Sequence, residues 1–165
     1  LPPAYAASTN ANWSLAGGKR GYRLPTEAEW EFAATLDSTS GLKRAYAFGN
    51  DWNPMKANIY DSPKSLAPPV GQRTEPVTAN TDGATPDGLL NMTGNVWEWC
   101  QDWFSDYSNE KSQDPVGPAV GTIKIARGGS FRTREEAGWA AFRGIADPAF
   151  GVPDIGFRVA RDGNE

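Results

Sequence analysis

The sequence predicts a single, loop-rich α+β domain. Three observations carry this expectation: one helix with its own start signal after Pro25, short alternating segments after residue 90, and 18 Gly, 13 Pro and 7 Trp among 165 residues. Glycine and proline in such numbers break a chain into turns, and large rings give loops something to wrap around. The length suits one domain, residues 1–165, with a sizeable core, and 39% hydrophobic residues suit folding rather than disorder.

Composition excludes several function classes. The net charge is −4, which provides no basic field for nucleic acid or anionic lipid. No apolar run reaches membrane-spanning length, so neither nucleic acid nor membrane insertion is expected. The chain has no His, which removes Ser–His–Asp triads, His-ligated zinc and imidazole bases. Cys100 is the one cysteine, so no intrachain disulfide or thiol pair can form. Leu1-Pro-Pro-Ala-Tyr lacks the charged start of a signal peptide, and the missing Met suggests a mature fragment or excised domain. The compartment is not readable.

In chain order, Leu1 to Lys19 reads as an irregular lead-in. A helix is expected from about Thr26 to about Leu36. Thr26 serves as N-cap, Glu29 completes a capping box, and Pro25 keeps the preceding backbone extended. Trp30, Ala33 and Ala34 share its packing face. Ala45-Tyr-Ala-Phe48 is expected as a brief strand. Asn58-Ile-Tyr-Asp61 and Pro69-Val-Gly71 read as loops pinned by a buried side chain or two, and Thr74 to Gly88 as a polar loop. Ile123 to Arg127 and Ile155 to Ala160 alternate like strands.

The densest stretch is Asn91-Met-Thr-Gly-Asn-Val-Trp-Glu-Trp-Cys-Gln-Asp-Trp103. Its Trp97, Trp99 and Trp103 suggest an extended segment with rings on a buried side. Asn91, Asn95, Glu98, Gln101 and Asp102 offer oxygens, and a tight turn at Gly94 frees carbonyls as ligands.

Four motifs in order, Gly21-Tyr-Arg-Leu-Pro-Thr-Glu-Ala-Glu-Trp-Glu31, Gly94-Asn-Val-Trp-Glu-Trp99, Arg127-Gly-Gly-Ser-Phe131 and Gly156-Phe-Arg158, resemble the formylglycine-generating-enzyme (sulfatase-modifying factor) superfamily. The resemblance runs through nearly the whole chain and implies a C-type-lectin-like fold. It starts partway into the family's usual domain, as if the N-terminal strands were lacking. It implies structural calcium held by the side chains of Asn91 and Glu98 and the carbonyls of Gly94 and Val96. Such oxygens suit a hard cation, whereas a hydrogen-bonded turn with Glu98 paired to an Arg is the alternative. A second family site would use Asn58 and the Ile59 carbonyl, with its acidic partner unmatched.

The family's copper-binding thiol pair is absent from Arg132-Thr-Arg-Glu-Glu-Ala-Gly138, so neither copper nor formylglycine generation is expected. Cys100 reads as a small buried residue. The run from Arg127-Gly-Gly-Ser to Gly-Phe-Arg158 is similar in spacing to the variable segment of diversity-generating-retroelement proteins. That likeness implies contact positions at Arg132, Thr133, Arg134, Phe142, Gly144, Ile145, Ala146, Asp147, Phe150, Val152 and Asp154, with Trp139 as a further aromatic anchor. Adenine-directed variation of Asn codons reaches Arg, Thr, Gly, Ile, Ala, Asp, Phe and Val but not Glu135, Glu136 or Trp139. The competing reading places Trp139, Phe142 and Phe150 in the core of an ordinary family member.

The expected function is therefore non-catalytic binding of a protein or other macromolecular ligand through the Arg132–Asp154 face. The alternatives are a tailoring oxidoreductase of the family, with Glu135, Glu136, Asp147 and Asp154 as acid–base groups if buried together, or an accessory domain of a larger polypeptide. Carbohydrate recognition is a weaker variant, which the fold alone does not establish.

Overall fold

The computed structural model describes residues 21–60, 62 and 73–162, together with the backbone of 5–6 and 14–15. Within the lead-in, β1 (Tyr5–Ala6) pairs antiparallel with β2 (Ser14–Leu15), so these pieces are a small ladder rather than irregular chain. The expected 69–71 loop lies outside the described residues.

The helix α1 (Glu27–Thr35) starts where its signal places it. Thr26 is extended, its hydroxyl accepts from Glu29 N at 3.1 Å, and the Glu29 carboxylate accepts from Thr26 N at 2.8 Å. It stops because Leu36 turns extended and Arg44 donates to the carbonyls of Ala34 and Leu36. A cation there suits the negative end of the helix. Trp30 and Ala34 are buried on its inner side.

A four-stranded mixed sheet follows, made of β3 (Trp97–Trp103), β4 (Lys124–Arg127), β5 (Gly144–Ala146) and β6 (Ile155–Gly156) in the order β5-β4-β3-β6. β3 runs antiparallel to β4 and parallel to β6, with a register irregularity between Trp99 and Trp103. Because β4 and β6 flank β3 on opposite sides, residues 128–154 cross from one side of β3 to the other.

The alternation of β3 is the reverse of what its indoles suggest. Glu98, Cys100 and Asp102 are buried, while Trp97, Trp99 and Trp103 are half-exposed. The acids point inward because α1 supplies donors for them. Trp30 Nε1 donates to Glu98 at 2.6 Å, and Glu27 N at the helix start donates to Asp102 at 2.8 Å. A buried carboxylate with such donors is tolerated where an unpaired one is not. Trp30, Ala34, Met92, Cys100, Ile125 and Ala140 form the apolar core beside them.

Two other expectations change. Ala45–Phe48 is a turn, closed by reciprocal Tyr46–Gly49 backbone bonds of 2.9 and 3.2 Å. Of Ile155–Ala160 only the first two residues form a strand. Beyond them Arg158 turns toward Glu98, leaving Phe157 and Val159 exposed, and Ala160 bridges back to Arg23. Ile59 is fully buried and pins its loop as expected.

Thr26→Ala removes one side of the capping box and should lower stability by about 1 kcal/mol. Urea unfolding would read this as a lower midpoint at unchanged slope, and an unchanged midpoint would mean the helix start is held by its tertiary contacts alone.

Candidate binding face

The segment between residues 127 and 158 is fixed at both ends. Arg127 is fully buried, donating to Glu31 at 2.5 Å and to the Phe142 carbonyl at 2.8 Å. Gly129 has φ +73, and a Cβ there would meet the Ala137 carbonyl at 2.9 Å, so only glycine suits this turn. Ser130 Oγ then donates to Asp154 Oδ2 at 2.6 Å, between two buried residues. At the far end, Arg158 closes on Glu98 with two bonds of 2.5 Å and on the Leu90 carbonyl at 3.0 Å. The chain between these points leaves the core and returns to it.

What lies between faces outward. Trp139 is 50% exposed, Phe142 40%, Ile145 56%, Phe150 70% and Val152 40%, so these side chains are not the core of this domain. Arg132 and Arg134 are exposed too, their guanidinium groups 5.4 Å from the Phe131 ring and 5.5 Å from the Tyr60 ring.

Four of the expected contact positions do other work. Asp154 is buried on Ser130. Thr133 accepts from Ser130 N and donates to Ser130 O within the turn. Gly144 lies against Trp97, where a Cβ would approach the indole to 2.6 Å. The Asp147 carboxylate accepts from Ala149 N at 2.8 Å and shapes the turn after β5. Ala146 is half-buried in β5.

The structure also recruits residues that the sequence does not single out for this face. The Tyr46 hydroxyl accepts from Trp139 Nε1 at 2.5 Å and donates to Glu135 at 2.9 Å; burial and that carboxylate raise its pKa. Arg143 forks onto Glu27 at 2.7 and 2.9 Å and stacks 4.1 Å from the Tyr107 ring, tying the segment to the start of α1. No local pattern marks pairs so distant in sequence.

The oxygen-rich turn brings Asn91, Gly94 and Asn58 close together. Asn91 has φ 56 and Gly94 φ 82, and a Cβ at Gly94 would overlap the Asn58 carbonyl. Asn91 donates to the Val77 carbonyl and accepts from Asn80 at 3.2 Å, while Asn58 donates to Arg73 O and Asn95. Amide and carbonyl oxygens fit a hard cation by type. Glu98 is the contested member, since Trp30 and Arg158 occupy three of its acceptor positions.

Cys100 is fully buried, and burial drives its thiol far above the ordinary range, so it is no nucleophile. Glu135 faces Tyr46 and Asp154 faces Ser130, so the acidic residues of the segment are not buried together. No group of three acidic or Cys side chains able to hold a metal occurs among the described residues.

Comparison with known proteins agrees with this architecture. The family model described as a sulfatase-modifying factor enzyme 1-like domain matches residues 3–163. The chain is 36% identical to the formylglycine-generating enzyme of Streptomyces coelicolor, covering 94% of this chain and 50% of that one. It is 35% identical to the serine/threonine-protein kinase pkn1 of Chlamydia caviae, covering 95% of this chain and 23% of the kinase. It thus spans half or less of the length of these relatives. Among solved structures, Treponema denticola variable protein 1 matches with a TM-score of 0.75 and 32% identity, over 90% of this chain and 50% of that one. CarF matches with a TM-score of 0.66 and 27% identity, over 92% of this chain and 51% of that one.

If the buried ends hold the segment and its outermost side chains do not, Asp154→Ala should cost about 1–3 kcal/mol by leaving the buried Ser130 hydroxyl unsatisfied. Arg132→Ala, Arg134→Ala and Phe150→Ala should each stay within about 0.5 kcal/mol of the parent. Chemical denaturation of the four variants decides, and a large loss at Phe150 would mean that the outer face is structural. The motifs, the sheet and the matched relatives together make this chain a member of the sulfatase-modifying factor enzyme 1-like (formylglycine-generating-enzyme-type) family, with a C-type-lectin-like fold.

Proposed function

We propose that the domain is a non-catalytic binding module that presents its 132–152 surface to a protein or other macromolecular partner. The observation that carries this reading is the outward placement of Trp139, Phe142, Ile145, Phe150 and Val152 on a segment whose ends are buried. Exposed rings and arginines of this kind dominate recognition energies. The likeness to Treponema denticola variable protein 1 supports a further step, in which the segment is diversified among copies of the gene. Sequencing the parent locus in several isolates tests this. The expected result is a near-copy of the DNA for residues 127–158 that differs at adenines, beside a reverse transcriptase, with differing codons at positions such as Arg132, Ile145 and Phe150. A segment unvarying among isolates, with no such copy, would overturn diversification.

A second reading is favoured by the 36% identity to a formylglycine-generating enzyme: a family tailoring enzyme or accessory domain working without the thiol pair. Oxygen uptake by the domain with small thiol substrates would favour the tailoring enzyme and overturn the binding reading, as would aldehyde formation on a cysteine-containing sulfatase peptide.

We also propose one structural calcium, held by the Asn91 side chain and the Gly94 and Val96 carbonyls, with Glu98 shared between the ion and Arg158. At calcium about 100 times its dissociation constant, the expected stabilisation is about 2.7 kcal/mol. Asn91→Ala should abolish the calcium-dependent rise in melting temperature without stranding Arg158, as Glu98→Ala would. Identical melts of the parent protein in calcium and in chelator would end the proposal.

A further inference from the structure

Beside the sheet, bordered on one side by Phe150 and Val152 of the outward segment, lies a cavity of about 370 Å³. Its lining includes Leu24, Trp99, Lys124, Phe150, Val152 and Ile155, and Lys124 is the one charged residue in it among the described residues. A volume of that order suits a small ligand of one or two rings.

Lys124 is placed unusually for a lysine. Its ammonium donates to the Gln101 carbonyl and lies 4.1 Å from the Trp103 ring, and it forms no ion pair among the described residues. The nearby carboxylate of Asp102 is committed to the helix start through Glu27 N. Desolvation lowers the Lys124 pKa and the negative charge of Asp102 offsets this only in part, the expected response of a half-buried cation. Apolar walls would take up a ring, and an ammonium with no carboxylate in ion-pair contact among the described residues would take up a negative group.

We propose that this cavity binds a small aromatic carboxylate, with its ring against Trp99 and Val152 and its carboxylate on Lys124. The site stands on the cavity and its charge, and does not rest on what the outer face binds. Because Phe150 and Val152 belong to the outward segment, the identity of residues 150 and 152 would set which ring is accepted.

The test uses two fluorescent probes of similar shape on the full chain: anionic anilinonaphthalene sulfonate and neutral N-phenyl-1-naphthylamine. The anionic probe should bind at one site per chain and be displaced by 3-phenylpropionate. Lys124→Met should weaken the anionic probe by about tenfold or more, the value of a charged hydrogen bond, and change the neutral probe little. Lys124→Arg should keep anion binding. Val152→Trp, at the exposed rim, should fill the cavity and exclude both probes. Should Lys124→Met fail to fold, Lys124→Arg and Val152→Trp decide between the outcomes. The proposal is overturned by anion binding that survives either Lys124→Met or Val152→Trp in a folded protein. Failure of 3-phenylpropionate to compete, or loss of anion binding in a folded Lys124→Arg variant, overturns it as well.

Discussion

The carboxylate of Glu98 joins three parts of the chain that are far apart in sequence. It sits in the central strand, accepts the indole N–H of Trp30 from the helix, and takes the fork of Arg158 from the C-terminal run. A charge with 5% of its surface exposed persists only where such partners surround it. Removing one partner of a buried pair strands the other, at a cost of about 3–5 kcal/mol. The same junction determines why the last alternating stretch leaves the sheet after two residues and why the β3 indoles face outward. Asp102, four positions on, repeats the arrangement with the backbone N–H at the start of α1.

From this junction the division of labour in the second half of the chain follows. Arg127 and Ser130 enter the variable-looking segment in the core, and Asp154 and Arg158 leave it there. The intervening residues carry rings and guanidinium groups on the surface, with Arg143 and Gly144 as internal props. Stability therefore resides mainly in the ends and props, and the exposed rings and guanidinium groups lie on what they suspend. Such separation is what allows one scaffold to carry different surfaces.

The helix start is legible in the sequence because a capping box is local: Thr26 and Glu29 are three residues apart and answer each other. The motifs make the family legible for a similar reason, since each is a short run of specific residues. The direction of β3 is not legible. Alternation fixes that two faces exist, but which face is buried depends on Trp30 and Arg158, 68 and 60 residues from Glu98. Asp154 reads as a contact position rather than a buried one for the same reason, because its partner Ser130 lies 24 residues earlier. Whether Trp139 and Phe150 are core or surface is open in the sequence, and exposure of 50% and 70% decides it.

The position of β5 has a consequence for solubility. Among the described residues it is the outermost strand of the sheet, pairing with β4 on one side, and it carries the exposed Ile145. An open strand edge beside apolar side chains is a template for pairing with another chain. Here the strand is three residues long, begins at Gly144 and is followed directly by Asp147 and Pro148. Proline cannot donate to an added strand, and a short edge offers little length for one to grip. This stop lets the neighbouring positions carry apolar residues while limiting the self-association that such a surface would otherwise invite.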